Sequence, residues 1–257
     1  MTRWLLALLS RLPGPLLCSA SAFLGDLWFY LVRVRREVAL HNVSASDVDP
    51  GERGRRRLVR RCCRSLALNV LELPRLVALD DERFFGQVEV IGAEHLRAAA
   101  DAGRGVVVAS AHLGNWELLG SVSRRLGFDT AMMTRPLSSR SSHRWVNGQR
   151  TRSGTRVLEE GPDQLGSMLS ALRQGQVLGI TVDQRPRGRA LRSPFLGRSA
   201  LHSRTAACIA LRARAPLVVV TIHRTRGLEH RVHIAPPIWP ARGERPISAQ
   251  VDDMTRA

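Results

Sequence analysis

Three short runs dominate the chain: VVVAS at 106–110, VLGITV at 177–182 and PLVVVTI at 216–222. Continuous apolar runs of four to eight residues, rich in β-branched side chains, predict strands buried on both faces. Shorter ones join them. QVEVIG (87–92) alternates and ends on glycine, and TAMMT (130–134) runs on to Pro136. Between the runs lie stretches of helical spacing: 93–105, 116–128, 163–176 and 203–215. Strand and helix alternating in this way predict an α/β fold, its sheet largely parallel or mixed and flanked by helices. Residues 185–198 (RPRGRALRSPFLGR) read as a loop. A length of 257 residues suits one domain with a sizeable core.

The charge is unusual. There are 39 basic residues against 22 acidic ones, and every basic one is arginine. Such a surface is drawn to anions: phosphate, nucleic acid, anionic lipid or an acidic carrier protein. Nucleic acid is disfavoured, because aromatic residues are only 5% of the chain, too few for base-stacking platforms. Cys62 and Cys63 are adjacent and no CxxC pair exists, so neither a disulfide framework nor a zinc ribbon is indicated. His202, His223, His230 and His233 lack a zinc spacing, so no metal is expected.

The N-terminus, through Arg33, is apolar but broken by Arg11, Asp26 and Arg33. Three readings stand open: an interfacial anchor carrying Trp4, Trp28, Phe29 and Tyr30, a short spanning helix, or a signal peptide. The anchor is preferred, and residues 1–34 are assigned to it. Residues 44–54 read as a polar loop, and 55–76 as an amphipathic helix with its apolar seam on Leu58, Cys62, Leu66 and Val70.

His112 stands just beyond the first buried run, where open α/β sheets place their ligands. Glu117 follows five positions on. On one helix the two would not share a face. They meet only if His112 is in a loop and Glu117 in the first helical turn, with Gly114 at the bend and Asn115 as N-cap of a helix from Trp116. A carboxylate there would hold the imidazole and raise its basicity. From the residues alone, a catalytic pair and a satisfied strand-end cap both stand open.

AHLGNWE (111–117) resembles the H-x-x-x-x-[DE] block of the glycerolipid acyltransferase superfamily. Its Gly-Asn-Trp-Glu ending is most similar to the bacterial lipid A biosynthesis acyltransferases, the lauroyl and myristoyl transferases. RREVALHN (35–42), TRPLSS (134–139), QRTRSG (149–154), LRQGQVLGITVDQRPRG (172–188) and SPFLGR (193–198) resemble further blocks of that family, in order along the chain. Ser193 and Leu196 depart from its V-P-F-F-G block, and serine replaces the usual asparagine after Arg135-Pro136-Leu137.

The resemblance implies a single-domain glycerolipid-acyltransferase-like fold over 35–257 behind the anchor. It also implies a C-terminal Trp- and Arg-rich helix that would follow VDDMTRA, so the chain is expected to be C-terminally incomplete. The implied reaction moves a fatty acyl chain from acyl carrier protein or coenzyme A to a hydroxyl of an anionic lipid, foremost a lipid A precursor, without a cofactor. A lysophospholipid, aminolipid or glycolipid acceptor is the alternative, and an inactive membrane-bound remnant the rival of another class. The implied catalytic residues are His112 as base and Glu117 as its support. Arg150 is assigned to the acceptor phosphate or the oxyanion, with Arg135 and Arg152 as weaker candidates. Asn115, Asp183, Gln184, Phe195 and Gly197 complete the implied substrate-binding set, Asp183 with a loop-capping role equally open. The expected location is the cytoplasmic face of the inner membrane.

Overall fold

A computed structural model describes residues 11–186, 188–240 and 247–256. The chain divides into two compact units: residues 79–191 with 201–257, and residues 2–78 with 192–200. The unit that holds the N-terminal helix therefore continues well past residue 34.

The larger unit begins with a short helix α4 (Asp81–Phe85), capped by the Asp80 side chain. Strand and helix then alternate: β1 (Val88–Ile91), α5 (Ala93–Ala100), β2 (Val106–Ser110), α6 (Leu118–Arg125), β3 (Thr130–Thr134), α7 (Arg140–Arg152), β4 (Thr155–Glu159), α8 (Gln164–Arg173) and β5 (Val177–Thr181). After the excursion described below come α9 (Thr205–Ala213), β8 (Leu217–Arg226), β9 (Glu229–Ile234) and α10 (Ile247–Arg256). Seven described strands form one sheet in the order β1-β9-β8-β2-β5-β3-β4. Every pair in it is parallel except β8 with β9.

The apolar runs take the places their composition demands. All five residues of β2 are buried between β5 and β8. Successive side chains alternate across the sheet. Val107, Ala109, Leu178 and Ile180 pack with Met168 and Leu172 of α8, Ile209 and Ala210 of α9, and Val251 and Met254 of α10. The alternate residues, Val108, Ser110, Val177, Gly179 and Thr181, line a cavity beneath α6 on the opposite face.

The smaller unit holds α1 (Gly14–Leu27), a π-helical turn (Trp28–Val32), α2 (Arg36–Ser44) and the long α3 (Gly51–Ala78). Pro13 opens α1, where its missing N–H costs nothing. Leu17, Ser21, Gly25 and Phe29 recur every four residues as the buried face of α1 and its extension. A Cβ on Gly25 would overlap the Arg64 backbone, so this glycine sets how closely α1 and α3 approach. Asp26 accepts two hydrogen bonds from Arg60 (2.7 and 2.6 Å) and two from Arg64 (2.7 and 2.6 Å).

The expected α3 forms, but its seam is displaced. Leu58, Cys62 and Val70 are exposed, whereas Val59, Cys63, Leu73 and Leu76 are buried. Two apolar stripes one residue apart run along this helix, and the close seat at Gly25 selects the second. Cys18, Cys62, Cys63 and Cys208 are all free, and burial pushes the Cys63 thiol above its ordinary pKa.

The loop expected over 185–198 is corrected. Residues 190–195 form β6 (Ala190–Phe195), which pairs with β7 (Arg198–Ser203) as a two-stranded ribbon. The two-residue connection Leu196-Gly197 has φ of 48° and 73°, the left-handed pair that matches strand twist in tight hairpins. Apolar periodicity is weak there because Leu191 alone of the two strands is buried.

Candidate functional site

β2 delivers the site. Its last residue, Ser110, is followed by a bend through His112 and Gly114. Gly114 has φ +57°, and a Cβ there would strike the Ile222 carbonyl oxygen of β8. Only glycine lets the bend lie this close to the neighbouring strand. Asn115, fully buried, accepts the Leu118 amide on its carbonyl at 3.0 Å. Helix α6 starts at Leu118 rather than Trp116, and no side chain caps it. The expected N-cap role of Asn115 is thus replaced by a tight turn over 115–118.

Asp183, just past the end of the adjacent strand β5, holds His112 twice. One carboxylate oxygen accepts the His112 main-chain N–H at 2.9 Å, and the other lies 2.8 Å from ring Nδ1. A carboxylate at Nδ1 keeps the proton there, so Nε2 faces the open side with its lone pair. The Gln184 amide nitrogen sits 3.3 Å from that Nε2. Trp116 packs edge-on against the imidazole, with ring centroids 4.7 Å apart. Burial alone would push the Asp183 carboxyl up, but the bonds from the His112 ring and backbone outweigh it and hold the group below its ordinary pKa.

The carboxylate expected to hold His112 was Glu117, and the structure corrects this. Glu117 is clamped by Arg150 of α7, which donates from Nε and Nη2 to the two carboxylate oxygens, each at 2.8 Å. Both side chains are largely buried, at 14% and 15% exposure. The Trp116 indole N–H donates to the same carboxylate at 3.1 Å. Sequence spacing brings Glu117 near His112, but Asp183 reaches the ring from β5 across the sheet, a register that linear spacing does not contain.

Arg150 is correspondingly committed. Its Nη1 donates to Asn147 Oδ1 at 3.0 Å, and the Asn147 amide donates to Glu159 at 3.1 Å. His143 Nε2 approaches the same Glu159 oxygen at 2.9 Å. His143, Asn147 and Arg150 form one face of α7 and tie the Glu117 turn to the end of β4. Sequence reading missed His143, Asn147 and Glu159. The available signal was polar residues at i, i+4 and i+7 between Pro136 and Gly154.

The remaining candidates lie on other elements. Arg135 lies 3.9 Å from Glu160. Arg152 is exposed on the last turn of α7. Phe195 and Gly197 are at the hairpin tip, in the smaller unit. Beneath the His112 bend, Trp116 of the turn and Leu119 of α6 close over Ser110, Met132, Gly179 and Thr181 to line the apolar cavity. Its lining runs from Ser110 and Thr181, at the carboxyl ends of β2 and β5, to Val177 and Thr130, at the amino ends of β5 and β3.

A histidine held at Nδ1 by a carboxylate, with its Nε2 beside the Gln184 amide, stands at the strand ends near an apolar cavity, an arrangement that can supply a general base to a substrate with an apolar part. The chain belongs to the bacterial lipid A biosynthesis acyltransferase family, whose model matches residues 2–254. It is also similar to a phosphatidylinositol mannoside acyltransferase from Mycolicibacterium smegmatis, 44% identical over 63 residues. That match spans 24% of this chain and 21% of the relative.

Proposed function

We propose that this chain transfers a fatty acyl group from a thioester to a hydroxyl of an anionic glycolipid, with His112 as the general base. The observation that carries the reading is the Asp183–His112 pair, its Nδ1 held at 2.8 Å and its Nε2 turned outward. A hydroxyl is a poor nucleophile near neutral pH and needs a positioned base. Nε2 takes the hydroxyl proton as the oxygen attacks the thioester carbonyl. The tetrahedral intermediate then expels the thiolate, which recovers that proton from His112. Atoms and charges balance with no cofactor. Asp183 stabilises the imidazolium that forms between the two steps. The Gln184 amide, 3.3 Å from Nε2, supports this reading as a polar neighbour for the acceptor hydroxyl.

The cavity beneath Trp116 would take the acyl chain, since its lining is almost wholly apolar and includes Trp116, which packs against the His112 ring. A lipid A precursor fits the family description. The glycolipid named in the mycobacterial relative widens the class to sugar hydroxyls on anionic lipids in general. Acyl carrier protein or acyl-coenzyme A as donor, each of them anionic, suits a chain of net charge +17.

Membrane attachment rests on the apolar segment Gly14–Val32. Its outward face, Leu16, Phe23, Leu27 and Leu31, is exposed, with Phe23 at 69% and Leu31 at 71%. We place it in the interface of the inner membrane, with the catalytic unit on the cytoplasmic side.

The test is lipid mass spectrometry of cells expressing this chain beside the His112→Ala variant. A new acylated glycolipid present only with the intact chain is the expected result. Acylation that persists in the variant would remove His112 from the mechanism.

A further inference from the structure

The tip of the β6–β7 hairpin has no role in the chemistry above, yet its sequence carries two costs. Leu196 sits at φ +48°, a conformation that side chains other than asparagine, aspartate and glycine adopt rarely. It is also an apolar residue left in water, 48% exposed, beside Phe195 at 60%. Every residue from Pro194 to Ser199 is exposed. A two-stranded ribbon is marginal by itself. This one is seated from behind: Asp47 donates its main-chain N–H to the Leu196 carbonyl at 3.1 Å. The Asp47 carboxylate also occupies the space that a Cβ on Gly197 would need. The backbone of the turn is thus fixed while its two apolar side chains remain exposed.

The surroundings indicate the occupant. The tip belongs to the same compact unit as the apolar N-terminal helix. That unit, residues 2–78 with 192–200, contains fifteen arginines against six acidic residues. Arg192 and Arg198 flank the tip, and both are exposed. Apolar side chains at a fixed turn, bordered by arginine, match the acyl–headgroup boundary of an anionic bilayer.

We propose that Phe195 and Leu196 form a second lipid-contacting element, inserting into an anionic membrane surface while Arg192 and Arg198 meet its phosphates. The proposal rests on the membrane attachment read above for the N-terminal helix. The experiment uses the full chain bound to vesicles of phosphatidylethanolamine and phosphatidylglycerol. A benzophenone-bearing phenylalanine is placed in turn at 195, at 196, at 23 on the exposed face of α1, and at the exposed position 165 on α8. Illumination is followed by mass spectrometry of lipid adducts.

Adducts at 195 and 196 comparable to those at 23, with few at 165, are expected. Adducts at 23 but no more at 195 and 196 than at 165 would overturn the hairpin proposal and leave the membrane attachment standing. Adducts at none of the four would overturn both. A second variant, Leu196→Asn, separates contact from folding, because asparagine suits the left-handed position. It should unfold no earlier than the parent chain. Its vesicle partition should fall roughly tenfold, a factor that corresponds to about 1.4 kcal/mol. Unchanged partition of this stably folded variant would also refute the proposal.

Discussion

At the scale of residues, the two carboxylates of the site have separable jobs, and mutation should separate them. Asp183→Asn keeps the shape but exchanges the acceptor at Nδ1 for a group that can donate, which favours the wrong tautomer. We expect kcat to fall by about 10²–10⁴-fold with little change in KM, as disrupting a carboxylate–histidine pair does elsewhere. Glu117→Gln should act differently. It weakens the clamp on a largely buried Arg150, with an expected loss of ~1–3 kcal/mol of stability. Thermal melting and steady-state kinetics on both variants check this. A collapse of kcat in Glu117→Gln at unchanged stability would return Glu117 to the chemistry. The Asp183 carboxyl also links stability to pH. Its pKa is depressed in the folded chain, so the pair's contribution is present above the unfolded value of 3.8 and is lost as pH falls through the lower folded value. Asp183→Asn should flatten that acid limb in a urea-melt series, relative to the parent chain.

At the scale of elements, the sequence exposes what local periodicity can encode. β2, β5 and β8 are legible because burial on both faces writes an uninterrupted apolar run. His112 is legible because it follows such a run directly. β4 and β9, with the patterns TRVLE and EHRVHI, escape notice because they carry charged residues and lie at or near the sheet margin. The His112–Asp183 contact was not legible. It joins residues 71 positions apart through the parallel pairing of β2 with β5, and register across a sheet has no local signature. Helix α7 was hidden for a different reason: its inward face is polar, so it shows no hydrophobic stripe. That face makes a prediction at its own scale. Asn147→Ala breaks the chain from Glu159 to Arg150 without touching His112. A several-fold loss in kcat, restored by Asn147→Gln if the longer amide spans the same gap, would show that α7 positions the Glu117 turn. Equal activity in all three proteins would make the α7 network purely a packing feature.

For the whole molecule, one ion cluster bears on the proposed mode of membrane attachment. The apolar segment Gly14–Val32 is 19 residues long, about the length that spans a bilayer core. Yet Asp26 lies inside it and is held by Arg60 and Arg64 of α3. Spanning would carry these three charges into the hydrocarbon, where each costs about 2.5–3.5 kcal/mol near the centre by insertion scales. An interfacial position leaves them at headgroup depth and buries only the outward face of α1. That face is distinct from the inward one: Leu17 and Phe29 are buried within the smaller unit, whereas Phe23 and Leu31 are exposed. Removing residues 1–34 would therefore strip core as well as anchor, and the truncated chain should unfold rather than simply become soluble. The cleaner variant is Phe23→Ser with Leu31→Ser, which leaves the buried stripe intact. Vesicle flotation should show this double variant largely released, with its melting temperature close to that of the parent chain. The parent itself should come off membranes in alkaline carbonate, which strips interfacial proteins and leaves spanning ones behind. Retention of the parent through that wash would mean that the helix crosses the bilayer, with Asp26 and its arginines carried in as a neutralised group.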